Sequence, residues 1–216
     1  MFQIFFYHIT RYFFIVIFTL YNRLSVRRTE ELKKFPKDKN LIVASNHASN
    51  LDPILVGVAF PRTLRYLAKE ELFRPFIFGN FVRILGGVPV SRADNAASAG
   101  AVRVLLRLLT QGSNVVIFPE GSRSEDGKLL PLEGGVGLIA AHSKIDILPV
   151  YISGSHEAMP PGAVFVKPAK ITVTFGQVLS FPPEFYKGKD AREKIVSMLT
   201  DSMRALEAEA NRKRAG

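Results

Sequence analysis

Residues 41–53 read Leu-Ile-Val-Ala-Ser-Asn-His-Ala-Ser-Asn-Leu-Asp-Pro, an apolar run followed directly by polar residues and a proline. A short apolar run bounded by turn-forming residues is typical of a buried strand. Asp52 is a favoured helix-capping residue, and Pro53 suits the first turn of a helix. The stretch therefore predicts a strand, a polar turn and a helix in succession, which is the repeating unit of an α/β fold.

The same alternation continues along the chain. Strand-like runs are found at 41–45, 88–90, 114–118, 147–152 and 171–175. Helix-like runs are found at 52–60, 72–83, 96–110, 135–141 and 190–212. Strands that alternate with helices favour a mostly parallel central sheet flanked by helices. With 216 residues, one compact domain of this class is expected.

The chain is basic, with a formal net charge of +10, and it contains no cysteine. This charge predicts an anionic partner, either nucleic acid or an acidic membrane surface. No nucleic-acid-binding module is recognisable, and the aromatic residues lie among aliphatic ones, so we expect a membrane surface and no nucleic acid. Without cysteine, disulfides and thiolate metal sites are excluded, and four scattered histidines predict no metal site.

Residues 1–22 are almost wholly apolar and are followed by basic residues. A spanning helix would place Arg11 near the middle of the bilayer, at a cost of about 2.5–3.5 kcal/mol. Gln3, Tyr7 and Arg11 recur every four residues, so they share one helical face, turned toward the protein or toward lipid headgroups. We therefore predict that residues 1–25 form a membrane-associating helix in the interface, on the cytoplasmic face of the cell membrane, in a monotopic protein. The alternative is a helix packed within the core.

His47 lies five residues before Asp52, a spacing that suits a base and its orienting carboxylate. The alternative is a loop histidine beside a helix cap, and the spacing alone does not separate the two. A second stretch, Phe-Pro-Glu-Gly-Ser-Arg-Ser at 118–124, follows another apolar run at 115–117. The two stretches together predict acyl transfer onto a hydroxyl group.

Four blocks of the chain resemble those of the bacterial 1-acyl-sn-glycerol-3-phosphate acyltransferases, within the wider glycerolipid acyltransferase family. They are Asn-His-x4-Asp at 46–52, a glycine-rich turn ending in arginine at 86–92, Phe-Pro-Glu-Gly-Ser-Arg at 118–123, and a proline-containing apolar strand at 147–154. The blocks follow the family's order. The chain departs from the family at Ser91, where members often carry aspartate, and at the acidic Glu133, where the segment is usually basic.

The resemblance implies transfer of a fatty acyl group from acyl-ACP or acyl-CoA to the 2-hydroxyl of 1-acyl-sn-glycerol 3-phosphate (lysophosphatidic acid), which gives phosphatidic acid. It implies that residues 26–216 form the acyltransferase domain and that no cofactor is needed beside the thioester co-substrate. Two alternatives remain open. One is acylation of another lysolipid, a lyso-ornithine lipid or a lysophospholipid, and the other is a non-catalytic lipid-binding membrane protein.

The resemblance also implies roles for individual residues. His47 is the general base, and Asp52 orients it. The substrate-binding residues are Arg92, Glu120, Gly121, Ser122, Arg123 and, as a weaker candidate, Lys69. No Gly-x-Ser-x-Gly sequence occurs, so direct attack by the substrate hydroxyl is expected rather than an acyl-enzyme. Main-chain amides of the 46–50 turn or of the Gly121 turn are candidates for oxyanion binding, and the loop at 158–162 is expected to border the site.

Overall fold

The computed structural model describes residues 2–91 and 99–215 of the chain. Within these residues one seven-stranded sheet is flanked by helices on both faces. The strands are β1 Ser25–Arg27, β2 Ile42–Ser45, β3 Leu64–Lys69, β4 Gly87–Val90, β5 Asn114–Ile117, β6 Ile147–Ser153 and β7 Thr172–Phe175. The helices are α1 Phe2–Asn22, α2 Glu30–Lys34, α3 Asp52–Ala59, α4 Phe76–Ile84, α5 Ala99–Thr110, α6 Gly135–Ser143, α7 Ser155–Ala158 and α8 Ala191–Ala215, with 3-10 turns at Glu70–Phe73 and Phe185–Lys187.

The sheet has the strand order β1-β7-β6-β2-β5-β3-β4. Strands β2 to β6 run in one direction, while β7 is antiparallel to β6 and pairs in parallel with β1. The prediction of a mostly parallel α/β sheet is therefore confirmed. The carboxyl ends of β2 to β6 meet at one edge of the sheet, which is where ligands bind in open α/β folds.

Alternate residues of the central strands enter two separate cores. Leu41 and Val43 pack on the side of α1 and α3, whereas Ile42 and Ala44 pack on the side of α5, α6 and α8. A strand buried on both faces reads as a continuous apolar run rather than as an alternation. This explains why β2, β5 and β6 are apparent in the sequence.

Some elements differ from those predicted. Strand β3 was not predicted, because Arg65 and Lys69 interrupt its apolar residues even though its side chains alternate between buried and partly exposed. The helix predicted at 72–83 is divided into a 3-10 turn and α4, because Pro75 supplies no N–H to continue it. The predicted start of α5 at residue 96 lies outside the described residues.

Helix α1 packs against the protein through one face and exposes the other. Tyr7 is buried and lies within 3.4 Å of the carbonyl oxygens of Gly57 and Arg62, to which its hydroxyl donates. Tyr7 and Arg11 of the predicted polar stripe therefore face the protein, not the headgroups. The opposite face carries the exposed side chains of Phe5, Ile9, Tyr12, Phe13, Val16 and Leu20. None of the helices within 2–91 and 99–215 combines the length and apolar character needed to cross a membrane.

Side chains outside α3 bind the carbonyl groups at its carboxyl end. Tyr7 donates to Gly57, the Arg11 Nε donates to the Val58 carbonyl at 3.0 Å, and the Arg28 guanidinium donates to the Ala59 carbonyl. Cations favour a helix carboxyl end, where the last carbonyls lack helical partners. Asp52 is the first residue of α3. The hydrogen bonds from Tyr7 and Arg11 of α1 to the carboxyl end of α3 therefore hold in place the helix that carries the Asp52 carboxylate.

Candidate active site

The turn after β2 brings His47 and Asp52 together. The His47 Nδ1 lies 2.9 Å from Asp52 Oδ2, which also accepts the N–H groups of Ala48 and Ser49, each at 2.7 Å. An oxygen that accepts two main-chain donors is an acceptor toward the ring as well, so Nδ1 carries the proton and Nε2 is the free basic nitrogen. Asp52 is fully buried, whereas the His47 side chain is 20% exposed. This arrangement matches a base with its orienting carboxylate.

The segment after β5 binds the backbone of His47 from both sides. The Glu120 Oε1 accepts the His47 N–H at 2.7 Å, and the Ser124 N–H donates to the His47 carbonyl at 2.8 Å. Strands β2 and β5 are neighbours, so their following turns begin side by side. The ring of Phe118 stacks on the imidazole, with centroids 4.2 Å apart and an interplanar angle of 24°. The first and third blocks therefore form one structural unit around His47.

Glu120 is buried and directs both carboxylate oxygens at main-chain donors. Its Oε1 accepts the N–H of His47, and its Oε2 accepts the N–H of Leu130 at 2.8 Å. Burial raises the pKa of Glu120 to about 7 and outweighs the two N–H donors, which lower it. In this structure Glu120 contacts the backbone that carries His47, whereas the resemblance implies that it binds substrate.

The turn at 121–123 follows directly. Gly121 has a φ of +71°, and a Cβ atom there would lie 2.3 Å from the Glu133 Oε1. Only glycine therefore fits this position without movement. Ser122 is exposed at the tip of the turn. The Arg123 Nη1 donates to the Asn50 side-chain oxygen at 2.6 Å, which places the guanidinium beside the His47 turn.

The remaining basic candidates lie on neighbouring strands. Lys69 is exposed at the end of β3, at the same sheet edge as His47 but two strands from β2, a separation of about 10 Å. Arg92 lies outside the described residues, although Ser91 directly follows the parallel strand β4. Strands β2, β4 and β5, which precede or form part of the first, second and third blocks, thus end at one edge of the sheet.

The loop at 158–162 borders the site, as predicted. The Ser49 hydroxyl donates to the Met159 carbonyl at 2.7 Å, which joins the loop to the His47 turn. Near the same sheet edge, Phe73 in the 3-10 turn after β3 is buried, whereas Phe76 at the start of α4 is exposed.

Sequence reasoning missed Glu207 on α8. Its Oε1 accepts the N–H of Leu129 at 3.1 Å and lies 3.2 Å from the hydroxyl of Tyr151. It thereby connects the last helix to the loop that contains Leu130, a donor to Glu120. Nothing in the sequence marks this residue, because its partners are far away along the chain.

The mostly parallel α/β sheet and the histidine–aspartate pair in the turn after a central strand are the features by which this chain can be compared with known protein families. The family model described as "Acyltransferase" matches residues 26–153, more than half of the 216 residues, and the chain belongs to this acyltransferase family. The resemblance seen in the four sequence blocks is therefore confirmed.

Named relatives agree with this assignment. The 1-acyl-sn-glycerol-3-phosphate acyltransferase of Limnanthes douglasii is 32% identical over 138 residues, which cover 63% of this chain and 49% of that protein. The protein of the same name from Bacillus subtilis (strain 168) is 30% identical over 165 residues, 76% of this chain and 77% of that protein. The chain thus spans about half the length of the Limnanthes proteins that it matches.

A solved structure has the same fold. The crystal structure of the 1-acyl-sn-glycerophosphate (LPA) acyltransferase PlsC from Thermotoga maritima matches with a TM-score of 0.77 and 29% sequence identity. The match covers 94% of this chain and 79% of that one. The match therefore extends well beyond the four blocks, which lie within residues 46–154.

Proposed function

We propose that the protein transfers a fatty acyl group from acyl-ACP or acyl-CoA to the 2-hydroxyl of 1-acyl-sn-glycerol 3-phosphate, with His47 as the general base. The observation that carries the proposal is the His47–Asp52 pair, in which Nδ1 is bound to Asp52 and Nε2 is the ring nitrogen left to accept a proton. The family assignment and the names of the relatives support the reaction type and the acceptor.

In the proposed reaction, the Nε2 of His47 takes the proton of the acceptor hydroxyl as its oxygen attacks the thioester carbonyl. Asp52 stabilises the imidazolium that forms. When the tetrahedral intermediate collapses, the C–S bond breaks and the imidazolium returns the proton to the leaving thiolate. The products are the diacyl ester and a free thiol, and no acyl-enzyme is formed.

Several of the amides considered for oxyanion binding are already occupied. The N–H groups of Ala48 and Ser49 donate to Asp52, and that of Gly121 donates to the Phe118 carbonyl at 3.2 Å. Donors to the oxyanion must therefore come from other groups around His47.

A phosphate-bearing acceptor needs cationic donors near the base. Arg123 has this location, and Lys69 ends a strand at the same sheet edge. Arg92 follows Ser91, the residue after strand β4, in the sequence. A guanidinium matches the oxygens of a phosphate monoester in pairs. We therefore assign Arg123 and Arg92 to the phosphate, with Gly121 and Ser122 forming the turn that presents Arg123.

The acyl substrates are lipids, so the protein must reach a bilayer. The exposed apolar face of α1 and the basic residues that follow it support a monotopic attachment to an anionic membrane, on the cytoplasmic face. In this proposal α1 lies in the interface, with its buried face against α3.

The decisive experiment offers purified protein a mixture of lysophosphatidic acid, lysophospholipids and lyso-ornithine lipid, with acyl-ACP and acyl-CoA in separate reactions. Mass spectrometry then identifies the products. We expect phosphatidic acid, and we expect it to disappear with His47→Ala but to persist with His142→Ala, an exposed histidine on α6. Acylation of a different lysolipid would overturn the acceptor, and no turnover with either donor would favour a lipid-binding role.

A further inference from the structure

Two large apolar side chains are exposed at the tip of the loop between α7 and β7. Val164 is 79% exposed and Phe165 is 81% exposed. The loop is closed at its base, where the Lys167 N–H donates to the Ala158 carbonyl at 2.7 Å. Within the loop, the Ala163 N–H donates to the Pro160 carbonyl at 3.0 Å and forms a turn before the tip. The loop therefore presents Val164 and Phe165 to solvent from a fixed base.

The loop is tied to the end of α1. The Tyr21 hydroxyl donates to the Val166 carbonyl at 3.1 Å, and the buried Asn22 amide donates to the Lys167 carbonyl at 3.0 Å. Tyr21 is itself partly exposed, next to Leu20 on the apolar face of α1. The loop is thus held against the end of the helix that carries the exposed apolar face.

The charge around this surface favours an anionic lipid bilayer as its occupant. Arg23 follows α1, and the exposed Lys167 and Lys170 follow the loop tip. Apolar side chains that enter the bilayer, next to basic residues at headgroup level, are the pattern of an interfacial anchor. A second protein chain would need a complementary face, whereas a bilayer receives a helix and a separate loop tip alike.

We propose that Val164 and Phe165 insert into the same anionic bilayer surface as α1, as a second attachment point. The proposal rests on the proposed membrane attachment through α1. Two separated points fix the orientation of a rigid body against a surface more firmly than one helix can. Because Met159 in this loop accepts the hydrogen bond of Ser49, the second point also holds the His47 turn at a set height above the lipid.

A fluorescent reporter at residue 165 tests insertion directly, because the chain contains no tryptophan. Phe165→Trp supplies a single indole at the loop tip. Met198→Trp is the matched control, since Met198 is also an exposed apolar residue but lies on α8, which packs on the opposite face of the sheet. Both full-length variants are mixed with vesicles of phosphatidylcholine and phosphatidylglycerol, with or without brominated acyl chains, and bound protein is measured by sedimentation.

We expect the Phe165→Trp emission to shift to the blue on binding and to be quenched by brominated lipid, while the Met198→Trp emission changes little. If both variants sediment with vesicles but the Phe165→Trp emission is neither shifted nor quenched, the loop proposal is wrong and attachment through α1 stands. If neither variant sediments, the attachment proposed for α1 fails as well. A blue shift that depends on protein concentration without vesicles would show a protein interface and would overturn the proposal.

A second measurement gives the size of the effect. The double variant Val164→Ser/Phe165→Ser is expected to bind the same vesicles about tenfold or more weakly, since each apolar side chain contributes through the area it buries. Its turnover of detergent-dispersed substrate should equal that of the parent, because neither residue contacts His47 or Asp52. Unchanged vesicle affinity would contradict the proposal.

Discussion

At the residue scale, the Asp52 carboxylate accepts its hydrogen bonds through Oδ2, and its buried Oδ1 has no partner among the described side chains and backbone. An asparagine can place its amide oxygen at the Oδ2 position and keep all three contacts. It cannot supply the negative charge that, in the proposed reaction, stabilises the imidazolium of His47. Substitution of Asp52 by asparagine therefore tests the contribution of the carboxylate charge separately from that of the turn geometry.

We expect Asp52→Asn to fold with nearly the stability of the parent but to lose roughly 10²- to 10⁴-fold in kcat, the range typical of impaired acid–base catalysis. Asp52→Ala should also destabilise the fold, because the N–H groups of Ala48 and Ser49 lose their buried acceptor. Steady-state kinetics and thermal unfolding on both variants make the comparison. An Asp52→Asn enzyme with kcat close to that of the parent would exclude the charge from the mechanism.

Arg123 provides a test of acceptor recognition. Lysine keeps the charge but not the paired planar donors, so Arg123→Lys should lower kcat/KM for lysophosphatidic acid by roughly 10- to 150-fold, mainly through KM. The control variant is Arg107→Lys, an exposed arginine on α5. The same measurement with 1-acylglycerol, which lacks the phosphate, should show little change. Equal losses with both acceptors would mean that Arg123 supports the fold or the donor.

Glu120 predicts a pH-dependent difference in stability. Its pKa in the fold, about 7, lies above the ordinary value of 4.5, so the folded protein binds more protons than the unfolded chain between these values. The contribution of Glu120 to stability therefore falls as the pH rises through this window. Glu120→Gln removes the titration, and its amide N–H₂ must face either the His47 or the Leu130 donor, which destabilises the variant.

We expect the stability gap between the parent and Glu120→Gln to be larger at pH 5 than at pH 8, by on the order of 1–3 kcal/mol. Urea unfolding at the two pH values in a mild detergent measures the gap, and Glu125→Gln, an exposed glutamate in the next loop segment, is the control. A gap that is equal at both pH values would show that Glu120 does not titrate in this range.

At the scale of elements, one face of α1 packs against the protein and the other is exposed. Arg11 lies on the face that caps α3, and the neighbouring Tyr12 lies on the exposed face. We expect Arg11→Met to lower the free energy of unfolding by about 1.5–3 kcal/mol, because a charged donor to a partly buried carbonyl is lost. Tyr12→Gln should leave unfolding unchanged and weaken vesicle binding. The reverse pattern, measured by urea unfolding and sedimentation, would contradict this division of the helix.

The elements that the sequence predicts are those whose signal is local. β2 and β5 are continuous apolar runs because both faces are buried, and the His47–Asp52 pair lies within one turn. β3 escapes prediction because Arg65 breaks its apolar run. The contacts of Glu120 and Glu207 escape it too, since their donors are brought together only when distant segments pack.

At the scale of the whole molecule, the net charge of +10 acts together with the apolar face of α1. Raising the ionic strength from about 0.01 to about 0.15 M shortens the Debye length from about 30 to about 8 Å. We therefore expect binding to vesicles rich in phosphatidylglycerol to weaken strongly over this range, while the weaker binding to pure phosphatidylcholine changes little. Sedimentation at both salt concentrations checks this prediction. Equal salt dependence of binding to the two lipids would rule out an electrostatic contribution to membrane binding.

Strand β1 has a consequence for any shortened version of the protein. Its three residues pair with β7 at the margin of the sheet, and they follow α1 after only a short connection. A cut between residues 25 and 26 would divide this strand and leave the backbone of β7 open on one side. Open sheet margins invite other chains to add to them. Removal of the N-terminal segment would therefore eliminate an apolar helix but expose a sheet edge that can self-associate. Polar substitutions on the exposed face of α1 are the better way to obtain a dispersed protein.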